Sequence, residues 1–326
     1  MSKMKHKVVI AEHVDGNIEI ESEVLGPDVE IVLCKAQPAE AFMETIKDCD
    51  ALMTTNAKPM NATELAGMSK CKVVARYGIG YDSIDVKAAT GLGIMVTNNP
   101  SYCIDEVAEH ALAMMLSAWR RVTQHAIAVK AGEWAPLGGG KIRRLKGRTL
   151  GILGFGAIGQ GLAKRASGLG MDIVFHDPFV DKSPLARSVS MDELLKVADV
   201  LSLHMPLMDS TRGIVDKAFL GKMKQDAILV NCSRGPLIKT DDLLEALNAG
   251  EIGMAALDTV DPEPIPKDHP LLDCPNALIT PHSAWVSEES IVDLRRIAAQ
   301  NVAAALRDEV PTNLVNKDVK LSNVSK

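Results

Sequence analysis

A glycine-rich turn in the middle of the chain most constrains what this sequence can fold into. Residues 154–159 read Gly-Phe-Gly-Ala-Ile-Gly, an apolar run at 149–153 precedes them, and a helical pattern follows. A strand that enters such a turn and leaves it as a helix is typical of the first unit of a dinucleotide-binding domain. The bare pattern is common in proteins, but this order of strand, turn and helix favours nucleotide binding.

Each position of the turn has its own physical task in that interpretation. Gly154 permits the tight turn, Gly156 lets a pyrophosphate approach the backbone, and Gly159 lets the helix pack closely on the strand. The N–H groups at the start of the helix, at Ala157 and Ile158, then hold the phosphates. The alternative is a glycine turn that serves the fold alone.

An acidic residue follows at the distance where a dinucleotide needs one. The predicted strand 172–177 ends at Asp177, which lies about 20 positions after Gly154. A carboxylate with this spacing hydrogen-bonds the ribose hydroxyls. Because the same carboxylate would repel a 2′-phosphate, Asp177 favours NAD over NADP. A surface aspartate without a ligand is the alternative.

Short apolar runs alternate with helical patterns along most of the chain. In the first hundred residues the predicted strands are 7–11, 29–34, 51–55, 72–76 and 93–98. A second series comprises 149–153, 172–177, 199–204, 227–233, 253–258 and 277–280. Apolar strands separated by helices are typical of parallel sheets that are covered on both faces. The sequence therefore predicts an α/β fold with two doubly wound parallel sheets.

Longer elements divide the chain between these two series. A single long helix is predicted over 101–122, a glycine-rich linker over 132–140, and a final helix over about 288–308, which could return to the first domain. The predicted domains are residues 102–290 and residues 1–101 plus 291–326.

Length, composition and charge narrow the class of protein. With 326 residues, of which 47% are apolar and 24% charged, the chain can bury two sizeable cores. The formal net charge of −6 argues against a general nucleic-acid binder. The basic run at 141–146 is the best support for such a binder, but a solvated face at the edge of the cofactor domain is the favoured interpretation.

The cysteines and the apolar runs favour a location in the cytoplasm. The six cysteines are scattered without the spacing of a zinc site, and we interpret them as small core residues of a reduced compartment. No apolar run is long enough for a signal peptide or a membrane span. The sequence predicts a cytoplasmic protein without a metal, a membrane or a nucleic acid as partner.

Three residues that follow predicted strands could carry out chemistry. Arg234 could bind a carboxylate through two parallel hydrogen bonds, although a surface arginine is the alternative. Glu263 lies between two prolines, on a segment expected to be stiff and extended, although a solvated glutamate is the alternative. His282 could act as a general acid or base, and a nearby Glu263 would stabilise its protonated ring, although a structural histidine is the alternative. Their places after successive strands predict one shared site.

These motifs together resemble those of the D-isomer-specific 2-hydroxyacid dehydrogenases. The resemblance extends from about Val8 to Asn316. Its ordered motifs are residues 76–85, the glycine turn, residues 203–207, residues 230–235, residues 256–258, Glu263-Pro264 and Pro281-His282. It implies a flavodoxin-like substrate domain, built from both chain ends, and a Rossmann NAD-binding domain that flank a cleft.

The resemblance also implies roles for single residues. His282 would be the acid/base, Glu263 its partner, and Arg234 the group that binds the carboxylate and carbonyl of the substrate. Asp258 would bind the nicotinamide carboxamide. The other implied cofactor contacts are His204, Pro206, Cys232 and His282. The other implied substrate contacts are Tyr77, Trp285 and the backbone N–H groups of Ile79 and Gly80.

The implied activity is hydride transfer between NAD(H) and a small 2-oxo or 2-hydroxy acid, in a homodimer that pairs its cofactor domains. Phosphoglycerate dehydrogenase and glyoxylate or hydroxypyruvate reductase are specific alternatives. Residues 282–285 are similar to the C-terminal-binding-protein branch of the family, so an NADH-responsive, corepressor-like binding protein is an alternative of another class. The presence of arginine, glutamate and histidine together favours the enzyme.

Overall fold

The computed structural model describes residues 6–13, 16–34 and 38–320. The end of the predicted C-terminal tail, residues 321–326, lies outside the described residues. In the described ranges, no helix is both long and apolar enough to cross a bilayer.

The chain divides into two compact units. Unit 1 consists of the residues up to Tyr102 together with those from Ser287 onward, and unit 2 runs from Cys103 to Val286. Unit 1 is therefore discontinuous in sequence. Each unit is built around its own sheet, and the two sheets share no strand.

Strands and helices alternate in both units. The strands are β1 (His6–Ala11), β2 (Val29–Cys34), β3 (Ala51–Thr54), β4 (Val73–Arg76), β5 (Met95–Thr97), β6 (Thr149–Leu153), β7 (Asp172–His176), β8 (Arg187–Ser188), β9 (Val200–Leu203), β10 (Ile228–Asn231), β11 (Met254–Leu257) and β12 (Ala277–Ile279). The helices are α1 (Glu19–Leu25), α2 (Ala39–Ile46), α3 (Ala62–Gly67), α4 (Val86–Gly91), α5 (Ile104–Arg120), α6 (Val122–Lys130), α7 (Ala157–Ala166), α8 (Met191–Val197), α9 (Lys217–Leu220), α10 (Thr240–Ala249) and α11 (Glu288–Leu306).

The sheet of unit 1 has five parallel strands in the order β2-β1-β3-β4-β5. Its central strands are buried on both faces, as Val8, Val9 and Ile10 of β1 show by their complete burial. This strand order is that of flavodoxin-like folds. The C-terminal helix α11 packs on α1 and β4, so the end of the chain completes the unit in which it begins.

The sheet of unit 2 has seven parallel strands in the order β12-β11-β10-β9-β6-β7-β8. This is the Rossmann order with one further strand at the edge. The chain leaves β6 toward β7 on one side, and β9 pairs on the other side, so the direction of winding switches at β6. Ligands of such sheets bind beside this switch, at the carboxyl ends of the strands. The two parallel sheets confirm the predicted fold class.

The prediction of one helix over 101–122 is wrong. Helix α5 ends at Arg120 because Arg121 adopts a left-handed backbone with a φ of 55°, and its N–H donates to carbonyl oxygens of the last turn. A second helix, α6, begins directly afterwards. The sequence patterns also miss α1, whose exposed face is rich in glutamate, and β8, which is two exposed residues long.

All six cysteines are buried, and none forms a disulfide. Cys34, Cys49 and Cys71 pack among the aliphatic side chains of the core of unit 1. Their burial agrees with the interpretation of the cysteines as small core residues.

Candidate active site

The glycine turn lies at the carboxyl end of β6, and its three glycines have different surroundings. Gly154 has a φ of 90°, and a Cβ there would lie 2.7 Å from the backbone of His204. A Cβ at Gly159 would lie 2.5 Å from the carbonyl oxygen of Gly154. A Cβ at Gly156 would meet no described atom within 4 Å. Chain packing therefore requires the first and third glycines, whereas the second leaves open space.

The open space at Gly156 fits a dinucleotide. Gly156 is the N-cap of α7, so the space lies at the end of the helix where the first N–H groups have no acceptor within the helix. The N–H groups of Ala157 and Ile158 could therefore donate to a pyrophosphate. A side chain at position 156 would fill the same space.

Asp177 ties the end of β7 to the glycine turn. One carboxylate oxygen accepts from the N–H of Phe155 at 2.6 Å, and the other accepts from Phe179 and Val180 at 2.8 and 3.2 Å. The carboxylate thus lies beside the turn, where a ribose would be expected. It also shapes the loop after β7, a task that the sequence spacing does not indicate.

His204 follows β9 and lies against the other side of the turn. Its backbone N–H donates to the carbonyl of Leu153, and its Nε2 lies 2.8 Å from the hydroxyl of Ser202. Burial lowers the pKa of His204 to about 4, so the ring is neutral at pH 7. Of the other residues implied as cofactor contacts, Pro206 is exposed and Cys232 is buried after β10. Burial raises the pKa of the Cys232 thiol, which is therefore protonated.

Arg234 is held in a structured turn after β10. The side-chain amide of Asn231 donates to the carbonyl of Arg234 at 2.8 Å, and the hydroxyl of Ser233 donates to Leu203 on the neighbouring strand at 2.7 Å. Gly235 follows, and a Cβ there would overlap the carbonyl of Val260. This glycine lets the turn that carries Arg234 pack against the segment that leads to Glu263.

Glu263 and His282 are in direct contact. The Nδ1 of His282 lies 2.6 Å from Oε1 of Glu263, and both side chains are partly exposed. Since a carboxylate only accepts, Nδ1 carries the proton of this hydrogen bond. The other ring nitrogen, Nε2, is then available to exchange a proton with a ligand. His282 has a φ of 53°, an unusual conformation for a residue other than glycine that often marks functional sites.

The prediction of an extended segment around Glu263 is wrong. The backbone bends at each of residues 261–264, and the bonds before Pro262 and Pro264 are both cis. Proline fixes its own φ but tolerates both isomers of the preceding bond, so the two prolines do not imply an extended segment.

Asp258 is buried at the end of β11 and serves the loop that carries His282. Its carboxylate accepts from the Thr280 hydroxyl at 2.6 Å and from the N–H groups of Ser283 and Ala284 at 2.9 Å. Burial raises the pKa of this carboxyl, but the hydrogen bonds from His110, Thr280 and the backbone outweigh burial and hold the pKa below its ordinary value. The side chain is an anion with several donors already in place.

His110 is a member of this cluster that the sequence patterns miss. It lies on α5, and its Nε2 is 3.1 Å from the hydroxyl of Thr280 and 3.5 Å from Oδ1 of Asp258. A signal was present in the sequence, because a polar residue interrupts the apolar stripe to which Val107 and Met114 belong.

Tyr77 belongs to unit 1, and its side chain is buried. Its hydroxyl lies 3.0 Å from Oε1 of Glu21, which Arg295 also binds through Oε2 at 2.7 Å. Burial, together with the charge of Glu21, raises the pKa of the Tyr77 phenol. The phenol is engaged inside unit 1, and the backbone of Tyr77 leads into the loop that carries Ile79 and Gly80.

Ile79 and Gly80 lie in that loop after β4. The carbonyl of Ile79 accepts from the side chain of Asn98 at 2.7 Å, which holds the loop to the end of β5. In the part of the chain that the structure describes, neither of the two N–H groups has an acceptor. Two adjacent N–H groups of this kind can bind an anion. Trp285, the remaining implied substrate contact, is partly buried in unit 2, three residues after His282.

Most of unit 2 is similar in sequence to one known protein family. Residues 112–284 match the family described as D-isomer specific 2-hydroxyacid dehydrogenase, NAD binding domain. The match spans more than half of the chain and lies within unit 2. It includes the glycine turn and the cluster around His282.

Two curated relatives and one solved structure extend the similarity. A glyoxylate reductase of Korarchaeum cryptofilum is 39% identical over 293 residues, which cover 87% of this chain and 88% of the relative. A D-3-phosphoglycerate dehydrogenase of Methanocaldococcus jannaschii is also 39% identical, over 88% of this chain but 55% of the relative. The crystal structure of D-lactate dehydrogenase from Aquifex aeolicus, complexed with NAD and lactic acid, has a TM-score of 0.87 at 26% identity and covers 95% of this chain and 99% of that chain.

The fold, the site geometry and these similarities agree. They confirm the predicted family, the oxidoreductase class and NAD as the cofactor. The chain belongs to the D-isomer-specific 2-hydroxyacid dehydrogenases, a family of NAD-dependent oxidoreductases that act on the CH–OH group of hydroxy acids.

Proposed function

We propose that the protein reduces small, unphosphorylated 2-oxo acids, such as glyoxylate or hydroxypyruvate, to the corresponding 2-hydroxy acids. The observation that carries this proposal is the 2.6 Å contact between His282 and Glu263 at the strand ends that also position Arg234. Relatives named glyoxylate reductase and hydroxypyruvate reductase are 39% and 38% identical over 87% and 85% of this chain, which supports the smaller substrates.

His282 is the general acid of the proposed reaction. Its Nδ1 donates to Glu263, which fixes the orientation of the ring. Nε2 can then give its proton to the oxygen of the reacting carbonyl. Bound NADH supplies the hydride. In the reverse direction, His282 removes the hydroxyl proton of a 2-hydroxy acid.

Arg234 orients the substrate and stabilises negative charge on the carbonyl oxygen as it develops. Its planar guanidinium suits both the carboxylate and the neighbouring oxygen of a 2-oxo acid. The N–H groups of Ile79 and Gly80 are the proposed contribution of unit 1 to carboxylate binding. Trp285 is proposed as an apolar wall for the substrate side chain.

Unit 2 is the proposed NAD-binding domain, and unit 1 the proposed substrate domain. The turn at Gly156 supports this division, because its open space lies at a helix N-terminus in unit 2. Asp177 is proposed to bind the adenosine ribose and to disfavour the 2′-phosphate of NADP. The further proposed cofactor residues are Gly154, Ala157, Ile158, Gly159, His204, Pro206, Cys232, Asp258 and His282.

The proposed assembly is a homodimer that pairs unit 2 with unit 2 of a second copy. Helix α6 has no buried residue, although Val122 and Ile127 are apolar. Further along, Trp134 and Leu137 are 87% and 92% exposed. Apolar surface of this extent is typical of a protein contact. The six buried cysteines, which form no disulfide, support a reduced, cytoplasmic location.

NADH oxidation against a panel of 2-oxo acids tests the function. The panel contains glyoxylate, hydroxypyruvate, 3-phosphohydroxypyruvate, pyruvate, phenylpyruvate and branched-chain oxo acids, and the His282→Ala variant serves as the blank. The proposal predicts the highest kcat/KM for glyoxylate or hydroxypyruvate. A preference for 3-phosphohydroxypyruvate would contradict the substrate class. Tight NADH binding without turnover of any acid would contradict the enzymatic function and favour an NADH-responsive binding protein.

A further inference from the structure

Three consecutive N–H groups of the loop 280–284, which carries His282, donate to Asp258 at the end of β11. The backbone N–H of His282 donates to the carbonyl of Asp258 at 2.8 Å. The N–H groups of Ser283 and Ala284 donate to the two carboxylate oxygens of Asp258, each at 2.9 Å. Because His282 has a left-handed backbone, which is unfavourable for this residue, such anchoring is needed to hold its ring in place.

His110 extends this anchor to helix α5. The hydroxyl of Thr280 lies 2.6 Å from the Asp258 carboxylate, which can only accept, so the single proton of the hydroxyl is used there. The Thr280 oxygen can then only accept from His110, whose Nε2 lies 3.1 Å away. Nε2 therefore carries a proton and donates, whether the ring is neutral or charged. Its distance to Asp258 Oδ1, 3.5 Å, adds a longer second interaction.

Asp258 is buried, and its hydrogen bonds hold the loop that carries His282. The side chain of Asp258 has no exposed surface, and its carboxylate receives donors from the loop and from Thr280. The observed contacts direct the carboxylate toward the backbone of the loop that carries His282.

We propose that His110 is a positioning residue for His282, acting through Thr280 and Asp258. It donates one hydrogen bond that fixes the Thr280 hydroxyl on the Asp258 carboxylate, and this carboxylate holds the loop with His282 in its active orientation. The inference rests on the proposed function, since it assigns His110 to the proton transfer performed by His282.

Three substitutions test the link. His110→Leu removes the donor, His110→Gln keeps an N–H donor on a side chain of similar reach, and Thr280→Val removes the hydroxyl with little change of shape. Glu109→Gln is the matched control, because Glu109 is the neighbouring residue on α5 and forms an exposed ion pair with Arg165. For each variant we measure kcat, the KM for the 2-oxo acid, the Kd for NADH and the thermal unfolding midpoint.

The expected result is a loss of kcat that is separate from cofactor binding. Loss of a hydrogen bond in a charged network should lower kcat of His110→Leu and Thr280→Val roughly tenfold or more. The Kd for NADH should stay within about twofold of the wild-type value, since no NADH contact is removed. His110→Gln should recover most of kcat, and Glu109→Gln should match the wild type.

Several outcomes would overturn the inference. They are an unchanged kcat in His110→Leu, a weaker Kd for NADH with an unchanged kcat, or no recovery in His110→Gln. If His110→Leu does not fold, Thr280→Val decides between the same outcomes. A wild-type protein without His282-dependent turnover would contradict the proposed function, whereas normal wild-type turnover with an insensitive His110 would contradict this inference alone.

Discussion

The Nδ1 of His282 and the Oε1 of Glu263 are 2.6 Å apart, although the two residues follow different strands of the unit 2 sheet. The parallel arrangement brings both loops to the same edge of the sheet. The contact leaves one ring nitrogen of His282 for a substrate and uses the other to orient the ring. This division of tasks is what a general acid requires.

Glu263→Gln should lower kcat while the protein stays folded. Glutamine keeps the size of the side chain but replaces the carboxylate, which can only accept, with an amide that can also donate, so the Nδ1 hydrogen bond no longer fixes the ring. We expect kcat to fall roughly tenfold or more and the KM for the 2-oxo acid to change little. Steady-state kinetics checks this, with the exposed Glu251→Gln as the control. An unchanged kcat would show that the contact is structural.

Alanine at Gly156 should weaken NADH binding, whereas alanine at Gly154 should destabilise the fold. At Gly156 the new Cβ has space and an allowed φ of −71°, so the fold should persist while the Kd for NADH rises about tenfold through contact with the pyrophosphate. At Gly154 the Cβ would meet the His204 backbone at a φ of 90°, and we expect a loss of about 1–3 kcal/mol of unfolding free energy. Fluorescence titration with NADH and chemical unfolding separate the two. Equal NADH binding in wild type and Gly156→Ala would place the cofactor elsewhere.

Asp177→Asn should relax the preference for NADH over NADPH. Asparagine keeps an oxygen that can accept from the Phe155 N–H, but it removes the charge that opposes a 2′-phosphate. The ratio of kcat/KM for NADH to that for NADPH should fall about tenfold, equivalent to about 1.4 kcal/mol. Kinetics with both cofactors gives this ratio. If it does not change, another residue sets the cofactor preference.

The buried pair of Glu21 and Arg295 should make the stability of unit 1 depend on pH. Burial raises the pKa of Glu21, but hydrogen bonds from His13 and Arg295 outweigh burial. The pKa is therefore about 2, below its ordinary value of 4.5. Because the folded-state pKa is depressed, the stabilisation is complete above pH 4.5 and is lost as the pH falls toward 2. It amounts to roughly 3 kcal/mol.

Unfolding of the wild type and of Arg295→Met at a series of pH values tests this dependence. Arg295→Met leaves a buried carboxylate without its paired guanidinium, and we expect a loss of about 3–5 kcal/mol at pH 7. The difference between the two proteins should shrink in acid, where Glu21 is protonated. A difference that does not vary with pH would contradict the assignment of the stabilisation to this pair.

The sequence was sufficient for the fold because its signals are local and repeated. Apolar runs such as 29–34 match β2 residue for residue, and the glycine turn marks the start of the Rossmann order. The end of α5 was not predictable, because the left-handed conformation of Arg121 depends on the surrounding packing and not on a glycine or proline.

The site was predictable only in part. Residues Arg234, Glu263 and His282 could be selected because each follows a strand, but nothing in their spacing gives the distance between two side chains. His110 was missed because its partners, Thr280 and Asp258, are far away in sequence. The contact of the Tyr77 hydroxyl with Glu21 becomes visible only when α1 is placed on the sheet, because the two residues are far apart in sequence.

The most direct test of the account is the turnover of His282→Ala in parallel with its affinity for NADH. The account predicts that kcat for the best 2-oxo acid falls by about a hundredfold or more, because the general acid is lost, while the Kd for NADH rises far less, since His282 is one of many proposed cofactor contacts. A variant that retains turnover, or one that loses turnover and NADH binding to the same extent, would contradict the assignment of His282 as the proton donor.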